Sequence, residues 1–317
     1  MLRFLFFFIF TLSTVDAAYL LKDGKLIDSQ FQAKYSPEVH FQKAQEATEN
    51  KNWQEAKKQL LIVKANFKEF AYNAALDFHL AKVYYHLGDV DLANKSLSFY
   101  LEESKQGAYF LEALQYKFLV ADLFARGAKK RLFSSEKMPK VFSDREQALR
   151  IYEEIMQILP SHDLAAKALH AKANLLCRLS YFKESAESYQ IFLKKFPEHR
   201  DVPIVYLSMA DLYLKHLQSN SRNPDLIDLA QVYYRHFQKD YPQHKYLKKY
   251  LEKFSKMQEI YAQDLYSTGL FFEKKKRPEA SVIYYSSVLA QYPQTAAAQL
   301  SKKRLEVLDN FVKKMGL

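Results

Sequence analysis

The sequence predicts an all-α protein built from repeated pairs of helices. Composition is the first observation: only 6 Gly and 9 Pro interrupt a chain of 317 residues that is rich in Ala, Leu, Lys and Glu, as is typical of helices. The second observation is a spacing pattern, in which a bulky residue follows a small one after four positions and another bulky residue follows three positions later. The pattern recurs five times in full and a sixth time more loosely, with Ala280 and Tyr284 but no bulky residue three positions later, so we expect one helix pair for each copy.

Composition also excludes several classes of protein. A single cysteine excludes a disulfide scaffold and a cysteine-rich zinc module. The glycines never occur as a Gly-x-Gly pair, which excludes the phosphate-binding loops of nucleotide-binding folds. The hydrophobic fraction of 49% is too high for a disordered chain. A folded helical protein therefore remains.

The chain begins with a pattern typical of a secretory signal peptide. Arg3 precedes an apolar run over residues 4–12, and Val15 and Ala17 place small residues where a signal peptidase cuts. We predict a signal peptide over residues 1–17, export of the mature chain and no lipobox cysteine, because no cysteine lies near the cleavage site. An uncleaved membrane anchor is the alternative, but a helix needs about 20 apolar residues to span a bilayer.

The spacing of the six copies identifies the type of repeat after an extended leader, predicted over residues 18–35. The small residues that begin the copies are Ala56, Ala93, Ala148, Ser185, Ala230 and Ala280. A second small residue lies twelve positions earlier in three units, as Ala44, Ala81 and Ala173. Small residues at helix contacts with a period of about 34 are typical of tetratricopeptide repeats. We predict a tetratricopeptide-repeat superhelix of about six helix pairs, as a single domain over residues 36–317.

Departures from the period locate the irregular parts of this domain. The longest interval predicts an insertion at about residues 126–143, and the interval before Ala230 predicts a loop at about residues 218–224. The last interval indicates a long first helix over residues 246–274. A final amphipathic helix at about residues 295–314 is expected to cap the open apolar face of the stack. Its inward side chains are predicted to be Leu300, Leu305, Leu308 and Phe311.

Two turn residues are predicted from local chemistry. Gly88 falls where a left-handed residue would close the first helix of the second unit. Asn52 precedes Trp53, the first residue of a second helix, and is expected to cap that helix.

Three stretches carry a resemblance to a known family. They are Ser36-Pro37-Glu38 with Asn52-Trp53-Gln54-Glu55-Ala56, then Asn223-Pro224 through Ala230 to Asp240-Tyr241-Pro242, then residues 261–293 with Arg277-Pro278-Glu279-Ala280. They resemble the BamD (ComL/YfiO) family, the tetratricopeptide component of the complex that assembles outer-membrane β-barrels (the BAM complex). The resemblance implies a scaffold that is peripheral to the inner face of the outer membrane. The missing lipobox cysteine and an additional helix pair over residues 163–196 depart from the family pattern.

No catalytic or metal-binding constellation is evident, so we predict that the protein is not an enzyme and has no cofactor. His79 and His86 are seven positions apart without a carboxylate pair at ligand spacing. The doublet Glu102-Glu103 lies on a helix surface, where adjacent side chains diverge. Cys177 lies among leucines and is predicted to be a buried structural thiol.

Binding is predicted instead, on the first helix of each pair. The helical register selects these candidate peptide-groove residues: Phe41, Gln45, Phe78, Lys82, Tyr85, Lys167, His170, Asn174 and Arg178. The N-terminal members combine aromatic surface with a cation, which suits an extended peptide with aromatic residues and a terminal carboxylate. The resemblance implies that unfolded outer-membrane β-barrel precursors are such peptides. The alternative, that the aromatic residues are core and the cations are solvated, stays open.

The net charge of +11 indicates acidic partners. The candidate partner-docking residues form one run, Lys274, Lys275, Lys276 and Arg277. In the resembling family the C-terminal half docks the POTRA domains of the barrel-assembly protein. The resemblance therefore implies that POTRA domains are the partner of this run. Anionic lipid headgroups also suit the charge, whereas nucleic acid does not suit an exported protein. Solvated helix ends are the alternative explanation of the run.

Two functional alternatives to barrel assembly stay open. A generic periplasmic tetratricopeptide adaptor, which would coordinate envelope or cell-wall biogenesis, shares the fold and the export signal. An enzyme within a helical shell is disfavoured because no suitable constellation was found.

Overall fold

The chain divides into two compact units, unit 1 (Met1–Gln147) and unit 2 (Ala148–Leu317). The structure is a computed structural model that describes residues 19–22, 25–28, 31–71, 75–105, 107–131, 138–220 and 223–315. The predicted signal peptide, residues 1–17, lies outside the described residues. The single domain over residues 36–317 stays a prediction.

Unit 1 consists of helices and two short hairpins. Its elements are β1 (Tyr19–Lys22), β2 (Lys25–Asp28), α1 (Pro37–Glu49), α2 (Trp53–Asn66), α3 (Lys68–Ala71), α4 (Ala75–His86), α5 (Val90–Glu103), α6 (Phe110–Ala125), β3 (Lys129–Arg131) and β4 (Lys140–Ser143). β1 and β2 pair antiparallel within the residues of the extended leader. β3 and β4 pair antiparallel within the residues of the expected insertion.

In the part that the structure describes, unit 2 is helical apart from the turns between its helices. Its elements are α7 (Arg145–Ile158), whose first residues belong to unit 1, α8 (Asp163–Arg178), α9 (Phe182–Lys195), α10 (Val202–Ser219), α11 (Asp225–Asp240), α12 (Tyr246–Lys274), α13 (Pro278–Gln291) and α14 (Ala296–Met315). α12 spans the residues over which the sequence predicted a long first helix.

The predicted all-α, tetratricopeptide-repeat fold class is confirmed. Helices α1 and α2 pack together, as do α4 and α5, α8 and α9, and α12 and α13. Small residues lie at the contacts: Ala44 is 2% exposed and Ala56 is fully buried. In α8 and α9 the Ser185 hydroxyl donates to the Ala173 carbonyl at 2.8 Å. Small side chains therefore allow the helices of a pair to approach closely.

In four helix pairs, the turn between the two helices contains a residue in the left-handed backbone conformation. These residues, with φ between 55° and 71°, are Lys51, Gly88, Ser180 and Lys276. The prediction for Gly88 is confirmed. Asn52 also caps α2 as predicted, because its side chain accepts a hydrogen bond from the Glu55 backbone amide at 3.3 Å.

A buried charge cluster holds the β3–β4 hairpin of unit 1 against the start of α5. The Arg131 guanidinium contacts Asp89 at 2.5 Å and Asp91 at 3.0 Å. Lys140 adds a contact to Asp89 at 2.8 Å and donates to the Gly88 carbonyl at 2.7 Å. Burial opposes ionisation of Asp89, but the hydrogen bonds from Lys140 and Arg131 outweigh it, so the pKa of this carboxyl is lowered. The segment after α6 is therefore fixed to the second helix pair.

In unit 2, close packing joins α12 to α13. Gly269 is buried, and a Cβ atom at this position would lie 2.5 Å from the Tyr285 ring. The Tyr285 hydroxyl donates to the Glu273 carboxylate at 2.9 Å. Only glycine leaves room for the tyrosine at this contact.

α14 packs against α12 and α13. The Glu259 carboxylate accepts hydrogen bonds from the backbone amides of Ala296 and Ala297, at 2.8 and 3.2 Å, which fixes the start of the helix. Leu308 is buried as predicted, but Leu300 is 41% exposed, so the prediction that it points inward is wrong. The Phe311 side chain lies outside the described residues. Among the described helices, none has both the length and the apolar content that a membrane span requires.

Candidate partner-binding sites

A cavity of about 300 Å³ lies between α1 and α4 in unit 1, and we call it the N-terminal cavity. Its lining residues are Phe41, Ala44, Gln45, Thr48, Glu49, Leu60, His79 and Lys82. Three of the predicted groove residues, Phe41, Gln45 and Lys82, are therefore brought together. They meet because α1 and α4 are both first helices of their pairs and present the same register.

In the N-terminal cavity, the Lys82 ammonium is already paired and the His79 imidazole is neutral. Lys82 contacts the Glu112 carboxylate at 2.9 Å. Burial, and then the Lys82 charge, lower the pKa of His79 to about 4, although Glu112 opposes this. The buried His79 Nε2 atom has no hydrogen-bond partner within the described residues. The N-terminal cavity therefore has mixed polarity. The sequence did not indicate His79 as a cavity residue, because a single histidine on a helix carries no spacing signal.

The groove prediction is corrected for Phe78, whose ring is fully buried. It stacks on Tyr109 at 4.6 Å between centroids and belongs to the core. This is the alternative that the sequence left open. Tyr85 is half-buried beside Tyr116 and does not line the N-terminal cavity.

The candidate residues of α8 mostly bind other side chains of unit 2. Lys167 pairs with Asp163 at 2.7 Å. The His170 Nε2 atom lies 3.2 Å from the Ser208 hydroxyl, and burial lowers the pKa of this histidine. Asn174 accepts a hydrogen bond from the Tyr189 hydroxyl at 2.8 Å. Arg178 is exposed. A free cationic stripe is therefore not formed here.

The four candidate docking residues, which we call the basic turn (residues 274–277), join α12 to α13 and are all exposed. The Lys275 ammonium lies 5.7 Å from the centre of the Phe271 ring. Among the parts of the chain that the structure describes, no carboxylate forms an ion pair with any of the four. Their charges are thus available to a partner, unlike that of Lys82.

A second and larger concavity, the α12 groove, lies beside the basic turn and has a volume of about 640 Å³. Its lining residues are Tyr261, Asp264, Leu265, Ser267, Thr268, Phe271 and Phe272 from α12 and Tyr284 from α13. Phe272 stacks on Tyr284 at 5.5 Å, whereas Phe271 is 54% exposed. The sequence did not indicate this groove because its residues face one another only after α13 folds back on α12.

The described residues contain neither a metal-binding cluster nor an activated thiol. No group of three or more His, Cys, Asp or Glu side chains there is arranged to hold a metal ion. Cys177 is buried, and burial raises the pKa of its thiol, which disfavours the reactive thiolate.

Paired helices with concavities on their first helices define an adaptor of the tetratricopeptide class. More particularly, the chain belongs to the YfiO family, described as outer membrane lipoproteins, whose model matches residues 127–317. The match contains two of the three stretches that carried the resemblance, and the stretch from Ser36 to Ala56 lies outside it. The protein is therefore an outer-membrane-associated tetratricopeptide adaptor.

Solved structures of similar fold are remote. The type IV pilus biogenesis factor PilW is 13% identical, covers 84% of this chain and 99% of its own, and has a TM-score of 0.34. A tetratricopeptide repeat protein from Parabacteroides merdae is 13% identical over 86% and 98% of the two chains, with a TM-score of 0.39. The quorum sensor NprR from B. thuringiensis is 16% identical over 81% and 77%, with a TM-score of 0.35. Among curated proteins, none matches the chain.

Proposed function

We propose that the protein is a non-catalytic periplasmic scaffold for the assembly and insertion of β-barrel proteins into the outer membrane. Its C-terminal half docks the POTRA domains of the barrel-assembly protein, and its N-terminal cavity receives unfolded barrel precursors. Binding is driven by preorganised helices that bury partner surface, without turnover or cofactor.

The observation that carries the proposal is the family match over residues 127–317, which contains the whole of the basic turn. The turn is exposed and its cations are unpaired by described residues. Unpaired surface charge accelerates association with a complementary partner and makes it sensitive to salt. An acidic face of a POTRA domain is a partner of this kind.

The N-terminal cavity supports the second part of the proposal. Phe41 gives an aromatic wall, and Gln45 and Thr48 offer hydrogen bonds to an extended backbone. A volume of about 300 Å³ accommodates one large side chain rather than a folded domain.

Titration of the purified protein against the POTRA region of the same organism's barrel-assembly protein tests the first part. We expect micromolar or tighter affinity at low salt, with weaker binding at physiological salt. A second titration uses a peptide from the C-terminal strand of a barrel precursor, against wild type and Gln45→Ala. We expect the substitution to weaken the affinity for the peptide about tenfold and to leave the affinity for the POTRA region unchanged. Absence of POTRA binding at both salt concentrations would refute the scaffold.

The generic envelope adaptor is the second candidate, and one observation favours it. Most of unit 1, including the N-terminal cavity, lies outside the residues that the family model matches. Under this alternative the protein binds envelope enzymes in place of POTRA domains. Recovery of such enzymes, without any barrel-assembly protein, by crosslinking in cells would support it.

A further inference from the structure

We propose that the α12 groove and the basic turn form one two-part docking site for an acidic segment that carries a large apolar side chain. The apolar side chain enters the groove beside Phe271, and the acidic residues contact the basic turn. This inference rests on the proposed function, because it assigns the chemistry by which the C-terminal half recognises its partner.

The groove supplies the apolar half of the site. Phe272 and Tyr284 form one wall through their stacked rings, and Tyr261 extends the aromatic surface toward the start of the groove. Phe271 lies on the same side and exposes more than half of its side chain. Large aromatic side chains that are exposed in a concavity are typical of protein interfaces, because burying them on binding is favourable.

The basic turn supplies the charged half, and the two halves are continuous. Lys274 and Lys275 follow the groove residue Phe271 by three and four positions, which is about one helical turn. Lys275 lies over the Phe271 ring, so the cation and the aromatic surface are adjacent. An acidic residue next to an apolar side chain in the partner would meet both features together. Charge complementarity therefore selects an acidic segment as the occupant.

The shape of the site favours a protein segment over a lipid surface. Binding to a bilayer requires apolar side chains that project from the protein, and these insert between lipids. Here Phe272 and Tyr284 are half-buried walls of a concavity, and Phe271 is the one strongly exposed aromatic ring among the lining residues. A concavity of about 640 Å³ is filled by an inserted side chain and its flanking backbone.

Fluorescence anisotropy with a labelled probe tests the site on the full protein. The probe is a twelve-residue peptide with one central Phe followed by Glu residues, and its partner probe replaces that Phe with Ala. We expect Phe271→Ser to weaken the Phe probe at least tenfold and to leave the Ala probe unchanged. Ile191→Ser is the matched control, because Ile191 is exposed to 52% on α9. Equal effects of the two substitutions would overturn the inference.

Three further outcomes separate this inference from its alternatives. If charge reversal of the basic turn weakens POTRA binding but Phe271→Ser does not, the inference is overturned and the proposed function stands. A second outcome uses vesicles of 70% phosphatidylcholine and 30% phosphatidylglycerol. If the wild type sediments with these vesicles, Phe271→Ser does not, and neither probe binds, the groove is a lipid site instead. A concentration-dependent dimer that dissociates with Phe271→Ser would identify a second copy as the occupant.

Discussion

The two units carry concavities on equivalent first helices but equip them differently. In the N-terminal cavity, Lys82 is paired with Glu112 and the neighbouring imidazole is neutral. Beside the α12 groove, the basic turn has no described acidic partner. The units also contain different local contacts, a buried charge cluster around Arg131 in unit 1 and the close approach of Gly269 to Tyr285 in unit 2.

Equivalent positions of the repeat therefore carry different side chains in the two units, and we expect their binding properties to differ accordingly. Lys51 and Lys276 occupy the same left-handed turn position in the two units. Only the second is followed by arginine and preceded by two lysines. Long-range attraction of an acidic partner is therefore expected at the turn of unit 2, and short-range selection of a side chain at the cavity of unit 1.

The largest expected effect comes from removing the central cation of unit 1. Arg131→Met leaves Asp89 and Asp91 buried without their main partner, which is expected to cost roughly 3 kcal/mol of unfolding free energy. Urea unfolding followed by Trp53 fluorescence measures this, because Trp53 is the single tryptophan and lies in unit 1. The exposed Lys129→Met is the control and should change stability by less than about 0.5 kcal/mol. Similar losses for the two variants would contradict the role of the cluster.

Acid is expected to destabilise unit 1 through His79. Above pH 6.5, folded and unfolded chains both keep this imidazole neutral, so its low pKa has no effect. Between pH 6.5 and about 4 the unfolded chain takes up a proton that the folded chain excludes. Stability should therefore fall by roughly 2 kcal/mol at pH 5, at about 1.4 kcal/mol for each pH unit.

The His79→Phe variant isolates this contribution from the carboxylates, which also lose stability in acid. Phe suits the ring contacts of His79 with Phe41 and Tyr109 and cannot titrate. Urea midpoints at pH 7 and pH 5 should therefore differ less for the variant than for wild type. An unchanged difference would show that His79 does not carry the acid sensitivity.

A smaller effect tests the packing of unit 2. Gly269→Ala is expected to destabilise the protein by about 1 kcal/mol, because the clash with Tyr285 exceeds the gain in helix propensity. Thermal unfolding by circular dichroism measures the change, and a Gly269→Ala, Tyr285→Leu double variant should recover part of it. A higher Tm for the single variant would contradict the clash and show that α12 and α13 accommodate the added methyl group.

The smallest change in stability is expected at the basic turn. Lys276→Gly relieves a left-handed backbone conformation at φ 57° and is expected to stabilise the protein by a few tenths of a kcal/mol. Because one of four cations is lost, POTRA affinity should fall about twofold to threefold at low salt. If affinity falls together with stability, the change would instead reflect damage to the turn.

Much of the fold was predictable because the repeat is encoded locally. Small residues at Ala56 and Ser185 specify helix contacts, and Gly88 and Asn52 specify a turn and a cap. The exposure of Leu300 was not predictable, since an amphipathic pattern does not say how much of the helix face its neighbours cover.

The sites were predictable only in part. Register along each first helix selected Phe41 and Lys82, which line the N-terminal cavity. It also selected Phe78, which α6 and the residue before it cover. The α12 groove depends on contacts between two helices, and the hairpin cluster joins Asp89 to Arg131 across 42 positions. Such long-range contacts leave no periodic signal in the sequence.

Charge reversal in two parts of α12 tests docking at the basic turn. One variant changes the basic turn to four glutamates, and the matched control changes the exposed Lys245, Lys248, Lys249 and Lys256 of α12 and its N-cap to glutamate. Both alter the net charge equally, so POTRA titration separates a local contact from general attraction. We expect at least a tenfold loss of affinity for the first variant and less than threefold for the second. Equal losses would contradict docking at the basic turn.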